Sequence, residues 1–442
     1  MRTTEGKAMQ VGADIEERAN QPAGAREETN NRWYILAVLT LIATLNSIDK
    51  HLVPALALPI KTEFMLSDAQ FGLVVGLIYS LGFLIGGIPL TLIVDRVNRA
   101  RLLALLLATW SGATALATVV TSYAQLAAAR FIVGAAEVGG TPISMALIAD
   151  QFQPERRGTA IGIWTTSRSV SLLVSFALGG YIAVHWGWRA AFLMAGVPGL
   201  ILSVVVLLTF REAPSAEQAS AKQAPTLAFV REFIGNRQLL LLAGALILGV
   251  ACQNGVMAFL TAFLGQVHGQ PLDRAGALGG IILGLGAGIG MPLGGVLTDI
   301  LGNKSVRRQY AVAALLMFAA ALAALIGLLA PNLLVATAGL FVFETSVSCA
   351  YTAGLCIYLN VGPADKRASM MSMLTILIIF CGSGLGPPLA GLASDTLQSL
   401  RWGLCATVFL MILSGALIVL AQRSHRRGTS VGASADVVEQ AT

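Results

Sequence analysis

Charged residues are scarce in this sequence: Asp, Glu, Lys and Arg make up 12% of its 442 residues, whereas 56% are hydrophobic. A water-soluble domain carries roughly 25% charged residues, because polar side chains must cover its surface. A chain with so little charge cannot cover the surface of a soluble fold of this length. The composition is therefore typical of a membrane protein.

Cysteine and histidine are also rare, and neither forms a recognisable site. The five cysteines all fall in apolar runs without metal-type spacing, which excludes a disulfide framework and a zinc site; they are Cys252, Cys349, Cys356, Cys381 and Cys405. Of the four histidines only His51 is predicted near a central cavity, and no HExxH motif occurs. We therefore expect no metal, no cofactor and no enzyme activity, with a membrane-embedded enzyme or a receptor-like protein as disfavoured alternatives.

Long apolar runs are what the sequence does contain. Each is close to the ~20 residues that a helix needs to cross the ~30 Å hydrocarbon core of a bilayer. The twelve predicted membrane spans are 33–59, 70–94, 101–121, 123–149, 158–184, 189–210, 238–265, 273–298, 309–329, 332–359, 367–393 and 402–421. The sequence thus predicts an all-α, multi-pass membrane protein.

Lysine and arginine predict the orientation of these spans. Most of the 29 lysine and arginine residues lie in the N-terminal tail, in the C-terminus and in the loops that follow even-numbered spans. The loops that follow odd-numbered spans hold only Lys61, Arg189, Arg274 and Arg401. Because positive residues stay on the cytoplasmic side, both termini are predicted to be cytoplasmic. Contact with anionic lipid accounts for the net charge of +6, so no nucleic-acid partner is expected.

Two halves of six spans each are predicted from an internal repeat. Asp95 corresponds to Asp299, and Pro154 to Pro363, at near-constant separations. Asn46 and Gln253 then correspond, as do Glu137 and Glu344. The predicted organisation is a disordered cytoplasmic tail (1–31), an N-terminal half (32–210), a cytoplasmic linker (211–237), a C-terminal half (238–422) and a cytoplasmic tail (423–442).

Several ionisable residues lie within the spans of the N-terminal half, among them Asp49, Arg130, Glu137 and Arg168. In ARFIVGAAEVGG (129–140), Arg130 and Glu137 are seven positions apart, so they point the same way from one helix. Asp49 and Arg130 are predicted at similar depths, where they can form a salt bridge, and Arg168 is predicted near mid-membrane. Buried charges of this kind tend to face a transport pathway, although a network that only fixes helix packing is the alternative.

The chain resembles the major facilitator superfamily from Arg32 to about Gln422. The resemblance rests on Asp95, Arg96 and Arg99 after the second span, on Asp299 after the eighth, and on the motif PERR at 154–157. The segment NSIDKHLVPALALPIKTEFMLSDAQFGLV (46–74), together with ARFIVGAAEV, is similar to the bacterial spinster-like branch. The resemblance implies a major facilitator fold whose two halves surround a central cavity that opens alternately to either side.

We expect from this a monomeric secondary active transporter for a small or amphipathic organic anion, coupled to protons, with symport as the expected mode. Proton-driven efflux of drugs or lipid-like molecules is the alternative. The candidate proton-coupling residues are Glu137, Asp49 and Glu344. The candidate substrate-binding residues are Arg168, Arg130, Asn46, Gln253 and Asn254. The candidate gating residues are Asp95, Arg96, Arg99, Glu155, Arg156 and Asp299.

Glycine-rich runs occur in the C-terminal half, for example GGIILGLGAGIGMPLGG at 279–295. These runs lie inside apolar spans rather than between a strand and a helix, so they predict close packing of membrane helices and not a nucleotide-binding loop.

Overall fold

The described part of the chain contains twelve helices that are long and apolar enough to cross a membrane. The computed structural model describes residues 23–94, 96–210, 233–302, 305–362 and 366–439. The spans are Arg32–Ala55, Asp68–Leu90, Arg99–Val119, Tyr123–Gln151, Glu155–Trp186, Trp188–Thr209, Arg237–His268, Leu272–Ile300, Val306–Leu329, Leu333–Val361, Ser369–Leu397 and Leu400–Ser424, numbered first to twelfth below. The prediction of twelve helical spans is confirmed, and these ranges contain no β-strand. Asp95, the tail residues 1–22 and the linker residues 211–232 lie outside the described part.

Polar side chains define where several spans begin. A serine or asparagine just before the helix accepts hydrogen bonds from backbone N–H groups that have no partner within the helix. Residues in this position are Ser67, Asn98, Ser122, Asn236 and Asn332. The fifth span instead begins with Pro154, whose missing N–H costs nothing at the first helical position.

Most helix boundaries lie within a few residues of the sequence prediction, and the first and last helices differ from it as follows. The first helix begins at Ala23, within the predicted tail, and ends at Ala55 instead of continuing to position 59. It contains Pro54, which cannot donate a backbone hydrogen bond, and a separate helix, Ala57–Phe64, follows. The last helix continues beyond the twelfth span to Glu439.

The two six-helix halves are joined at one end of the bundle, which we call the hairpin end because the short loops after the odd-numbered spans lie there. We call the other end, where both termini lie, the terminal end. One hydrophobic cluster contains only N-terminal-half residues. A second cluster combines residues of both halves, and within it the rings of Phe71 and Phe259 pack edge to face at 5.6 Å.

Glycines allow the two halves to touch through their backbones. A Cβ atom on Gly72 of the second span would lie 2.4 Å from the carbonyl oxygen of Pro387 in the eleventh. A Cβ atom on Gly276 of the eighth span would lie 2.3 Å from the carbonyl oxygen of Phe176 in the fifth. Both distances are far below a van der Waals contact, so only glycine permits these two helix pairs to pack in this way.

Three of the spans at this interface contain a π-helical turn. These turns are Val74–Ile78 in the second span, Ile281–Leu285 in the eighth and Ile378–Gly384 in the eleventh. A π-helical turn interrupts the regular hydrogen-bond ladder and is frequent at functional sites. Within the described residues, π-helical turns therefore interrupt the regular α-helix in spans through which the two halves contact each other.

A polar seal accompanies the backbone contacts at the hairpin end. The carboxylate of Asp395, near the end of the eleventh span, accepts hydrogen bonds from the backbone N–H groups of Asp68 at 3.0 Å and Ala69 at 2.9 Å. The Ser394 hydroxyl donates to the Asp68 carboxylate at 2.6 Å, and Lys61 forms an ion pair with the same carboxylate. Asp395 thus places a negative charge at the positive end of the second helix.

A second polar cluster at the hairpin end lies within the N-terminal half. Glu63 accepts hydrogen bonds from Trp188 Nε1 at 2.5 Å and from Arg189 Nη1 at 2.8 Å. Arg189 Nη2 also donates to the Val120 carbonyl at 2.9 Å, and its guanidinium lies 4.4 Å from the Trp188 ring centroid. Hydrogen bonding to Arg189 is the main cause that lowers the pKa of the Glu63 carboxyl, and Trp188 adds to it.

We expect the Glu63 cluster to make stability depend on acid. Because the folded state lowers the pKa of Glu63, its contribution is present above about pH 4.3, the usual glutamate pKa, and is lost as the pH falls through the lowered value. Glu63→Gln should therefore reduce the acid-induced drop in Tm. The measurement is Tm in detergent across this range, with Glu155→Gln, an exposed carboxyl at the terminal end, as the control. An equal effect of both variants would contradict the assignment.

We expect Asp395→Asn to weaken the seal by about 1 kcal/mol, or roughly fivefold in the balance between closed and open hairpin ends, because the charged helix-capping group is lost. Spin labels at Met65 and Gln398, one in each half, should report a larger long-distance population by electron resonance, in a variant whose native cysteines are replaced.

Asp273→Asn is the matched control for the seal. Asp273 also lies at the hairpin end, but its carboxylate accepts from the neighbouring Arg274 N–H within its own helix. This change should leave the distance distribution unaltered. An unaltered distribution in Asp395→Asn as well would show that the glycine contacts alone close this end.

Candidate functional site

Tyr79 of the second span brings Arg130 and Glu137 of the fourth span together. Its hydroxyl donates to Glu137 Oε2 at 2.5 Å, and Arg130 Cζ lies 5.2 Å from the centroid of its ring. The two charged side chains therefore share one face of their helix, as their spacing predicts. They are only 2% and 4% exposed. In this conformation the second span covers them, so they do not line an open pathway.

Close helix packing places Tyr79 over these charges. A Cβ atom on Gly134 would lie 2.2 Å from the Tyr79 carbonyl oxygen, and one on Gly82 would lie 2.1 Å from the Phe131 carbonyl oxygen. The backbones of the second and fourth spans therefore touch on both sides of this point. Burial at this depth strengthens each electrostatic contact, because little water is present to screen it.

The ion pair predicted between Asp49 and Arg130 is not formed among the described residues. Arg130 Nη1 donates instead to the backbone carbonyl of Asp49 at 3.1 Å. This contact and the Tyr79 ring hold the guanidinium away from the Asp49 carboxyl. Asp49 is 1% exposed, and both of its carboxyl oxygens are buried without a hydrogen-bond partner. It is therefore a buried carboxyl group with unused acceptor capacity.

Glu344 in the tenth span has different partners from Glu137. Its Oε1 accepts from Gln253 Nε2 at 2.7 Å and from the Ser348 hydroxyl at 3.3 Å, and its Oε2 is buried without a partner. Gln253 is the residue that the repeat relates to Asn46, yet Tyr79 and not Asn46 donates to Glu137. The two glutamates thus share burial but not their chemical surroundings.

Arg168 lies on the fifth span and, unlike the other proton-coupling and substrate-binding candidates, is exposed. It is close enough to Lys50 of the first span and to Glu344 and Tyr351 of the tenth span to interact with them electrostatically. These neighbours come from both halves, so the guanidinium faces the space between the halves and not lipid. The mid-span position predicted for Arg168 thus coincides with the interior of the bundle.

The predicted substrate-binding residues Asn46, Gln253 and Asn254 differ in how their side-chain amides are hydrogen-bonded. The Asn46 amide nitrogen is buried without a partner, whereas the Asn254 amide donates to the Val250 carbonyl at 2.9 Å within its own helix. The amide of Gln253 is occupied by Glu344. Asn46 and the carbonyl of Asn254 therefore keep unused hydrogen-bonding capacity.

The predicted gating residues that the structure describes lie at the terminal end. Arg99 pairs with Asp150 of the same half at 3.0 Å. The structure does not describe Asp95. The remaining predicted gating residues are all exposed: Arg96, Glu155, Arg156 and Asp299. Their exposure contrasts with the partly buried seal at the hairpin end, where the described contacts close the bundle.

Sequence reasoning did not single out Tyr79, Lys50 or Tyr351 as site residues. Lys50 Nζ lies 5.6 Å from the Tyr79 ring centroid, so one ring contacts two cations and also donates to Glu137. A polar aromatic residue in the apolar run LIYSLG was the available signal for Tyr79. Such residues are frequent in membrane helices, and only the packing of the second span on the fourth makes this one informative.

The site combines exposed positive charge with buried carboxyl groups. Arg168 can bind an anion through two parallel hydrogen bonds, and each buried carboxyl group can hold or release a proton as its neighbours move. Within the described ranges, no group of three or more His, Cys, Asp or Glu side chains could hold a metal ion. The arrangement is suited to binding and moving an anion.

Comparisons with known proteins agree with the twelve-helix fold described above. The model of the Major Facilitator Superfamily matches residues 35–378. The structure is similar to that of a bacterial homologue of the human lysosomal transporter Spinster in an inward-facing, unoccupied conformation, with 25% identity, a TM-score of 0.81 and coverage of 89% of this chain and 97% of that one.

Two curated relatives are transport proteins. An MFS-type efflux pump of Mycolicibacterium smegmatis is 27% identical over 424 residues, covering 94% of this chain and 96% of the pump. A probable galactarate/D-glucarate transporter of Bacillus subtilis is 25% identical over 316 residues, covering 64% of this chain and 68% of the relative. The match of the family model and the twelve-helix fold together show that this chain is an integral membrane transporter, not an enzyme, and that it belongs to the Major Facilitator Superfamily.

Proposed function

We propose that this protein is a proton-coupled secondary active transporter for a small or amphipathic organic anion. The observation that carries the proposal is the exposed Arg168 guanidinium between the two halves, within electrostatic range of residues from both. A permanent positive charge inside a membrane protein is costly unless it meets an anion or a water-filled cavity. The similarity to a probable sugar-acid transporter supports an acidic substrate.

Alternating access explains why the two ends of the bundle differ. The hairpin end is closed by glycine contacts and by Asp395, whereas the predicted gate at the terminal end is exposed. We propose that the terminal end faces the cytoplasm of a bacterial inner membrane and that the protein works as a monomer. In the opposite state, Asp95 and Asp299 would close the terminal end by approaching the positive ends of the eleventh and fifth helices.

Proton coupling is assigned first to Glu137. This carboxyl group has a Tyr79 hydroxyl on one oxygen and an unpartnered second oxygen, and Arg130 and Lys50 lie within electrostatic range. Burial favours its neutral form, whereas the cations favour its charged form. Any movement of the second span against the fourth changes this balance, so the site can take up a proton in one state and release it in the other. Asp49 and Glu344 are the further candidates.

Proton-driven efflux of drugs or lipid-like molecules is the second candidate function. The similarity to an MFS-type efflux pump and to a Spinster homologue favours it. The two candidates differ in substrate charge, because an efflux substrate without an acidic group has no use for Arg168. A screen of organic acids and of neutral or cationic amphiphiles in proteoliposomes with an imposed pH gradient separates them.

We expect Arg168→Lys to reduce transport of an organic anion about tenfold or more in kcat/KM, because the charge remains but the two parallel hydrogen bonds are lost. Insertion and folding should be unaffected. The measurement is uptake of the acid found in the screen, beside Arg423→Lys, which makes the same change at an exposed position near the end of the twelfth span. Normal transport by both Arg168→Lys and Arg168→Ala would remove substrate contact from this residue.

We expect Glu137→Gln to abolish accumulation driven by a pH gradient. Glutamine keeps the size and a hydrogen-bond acceptor for Tyr79 but cannot titrate, so Tm in detergent should change little. Exchange of substrate without net proton movement should survive, because both directions use the loaded carrier. If Glu137 serves packing alone, the opposite pattern is expected, with a lower Tm and intact coupling. Accumulation at the wild-type level would shift the assignment to Asp49 or Glu344.

A further inference from the structure

The glycine run of the eighth span brings the fifth and tenth spans together at one level. A Cβ atom on Gly286 would lie 2.9 Å from Glu344 Cγ, and a Cβ atom on Gly288, two residues further along, would lie 3.4 Å from Ser169 Oγ. Ser169 directly follows Arg168 in the fifth span. The eighth span therefore contacts both the residue next to Arg168 in one half and Glu344 in the other, at positions only two residues apart.

Only one of the two carboxylate oxygens of Glu344 accepts hydrogen bonds. Gln253 and Ser348 donate to Oε1, whereas Oε2 is buried and has no hydrogen-bond partner. Glu344 itself is only 2% exposed. An unpaired carboxylate oxygen at this burial is costly, because it has lost its water without gaining a donor. The Gln253 hydrogen bond fixes the carboxyl group while leaving that oxygen available to another donor.

Arg168 carries the charge that is complementary to the Glu344 carboxylate. It is exposed and makes no ion pair within 4.0 Å among the described residues, although it is within electrostatic range of Glu344. Tyr351 is seven positions after Glu344, hence on the same side of the tenth span, and it too is within electrostatic range of Arg168. One side of the tenth span thus faces the guanidinium across the space between the halves.

We propose that Glu344 takes the place of the substrate anion on Arg168 when the transporter is empty and its terminal end closes. Closing this end moves the fifth and tenth spans toward each other, and the vacant Oε2 of Glu344 then meets the guanidinium. The empty carrier can return without an uncompensated positive charge in its interior. A bound anion occupies Arg168 instead, so the substrate and Glu344 compete for the same guanidinium N–H donors. This inference rests on the proposed function of Arg168.

The conformational test needs no substrate. Spin labels at Gln151 and Asn360, exposed ends of the fourth and tenth spans at the terminal end, report closure of that end in the empty protein in lipid nanodiscs. The wild type should show a short-distance population, and Glu344→Gln and Arg168→Gln should each lose most of it. The double variant should lose no more than either single variant, because both changes remove one interaction.

Exchanging the charges of Arg168 and Glu344 distinguishes an ion pair between them from simple packing of their helices. The variant carrying Arg168→Glu and Glu344→Arg should regain the short-distance population, whereas Asp273→Asn, a carboxylate change at the hairpin end, should leave it at the wild-type level. The proposal is overturned if the empty wild type shows no closed population, if Glu344→Gln closes like the wild type, or if the effects of the two glutamine variants add.

Transport measurements distinguish failure of this inference from failure of the proposed function. With an organic acid that the protein carries, Glu344→Gln should slow net efflux several-fold more than it slows exchange, and it should lower KM, because the competing carboxylate is gone. Unchanged net efflux and KM would overturn the role of Glu344 while leaving anion transport intact. If no organic acid is carried by the wild type, the anion proposal fails, and the distance measurements alone decide whether Arg168 and Glu344 pair.

Discussion

Backbone contact between the halves at the hairpin end is the constraint on which the rest of the structure depends. Gly72 against Pro387 and Gly276 against Phe176 bring two pairs of helices closer than any side chain would allow. Asp395 adds a charge-assisted cap on the second helix at the same end. Because the halves are joined there, their opposite ends are the ones that separate in the proposed cycle. Which end is closed therefore follows from where the small residues lie.

The buried charges are arranged unequally in the two halves. In the N-terminal half, Tyr79 joins Glu137 to two cations, while the Asp49 carboxyl remains without a partner. In the C-terminal half, Glu344 is held mainly by an uncharged amide. Two pseudo-symmetric scaffolds thus carry different chemistry. The buried carboxyl group of the N-terminal half therefore lies beside two cations and a tyrosine, whereas that of the C-terminal half is held by an amide and a hydroxyl group.

Much of this protein was determined by its sequence alone. The apolar runs predicted the twelve spans, since a bilayer requires about 20 apolar residues per helix, and the repeated motifs around Asp95 and Asp299 indicated two halves and the family. The seven-residue spacing of Arg130 and Glu137 placed both side chains on one face, because helix geometry is local. The position of Arg168 within an apolar span made it a candidate for anion binding, because a charge there is rarely tolerated without a role, and this role stays a prediction.

Only the tertiary structure decided which of these residues meet. Depth along a helix suggested a salt bridge between Asp49 and Arg130, yet helix rotation and the Tyr79 ring direct the guanidinium to a backbone carbonyl. The repeat suggested equivalent glutamates, but helix packing gave Glu137 a tyrosine and Glu344 a glutamine. Which end of the bundle is closed also depends on contacts between residues hundreds of positions apart, such as Asp68 and Asp395. Periodicity fixes the side of a helix on which a residue lies, whereas partners depend on how helices from distant parts of the chain are packed.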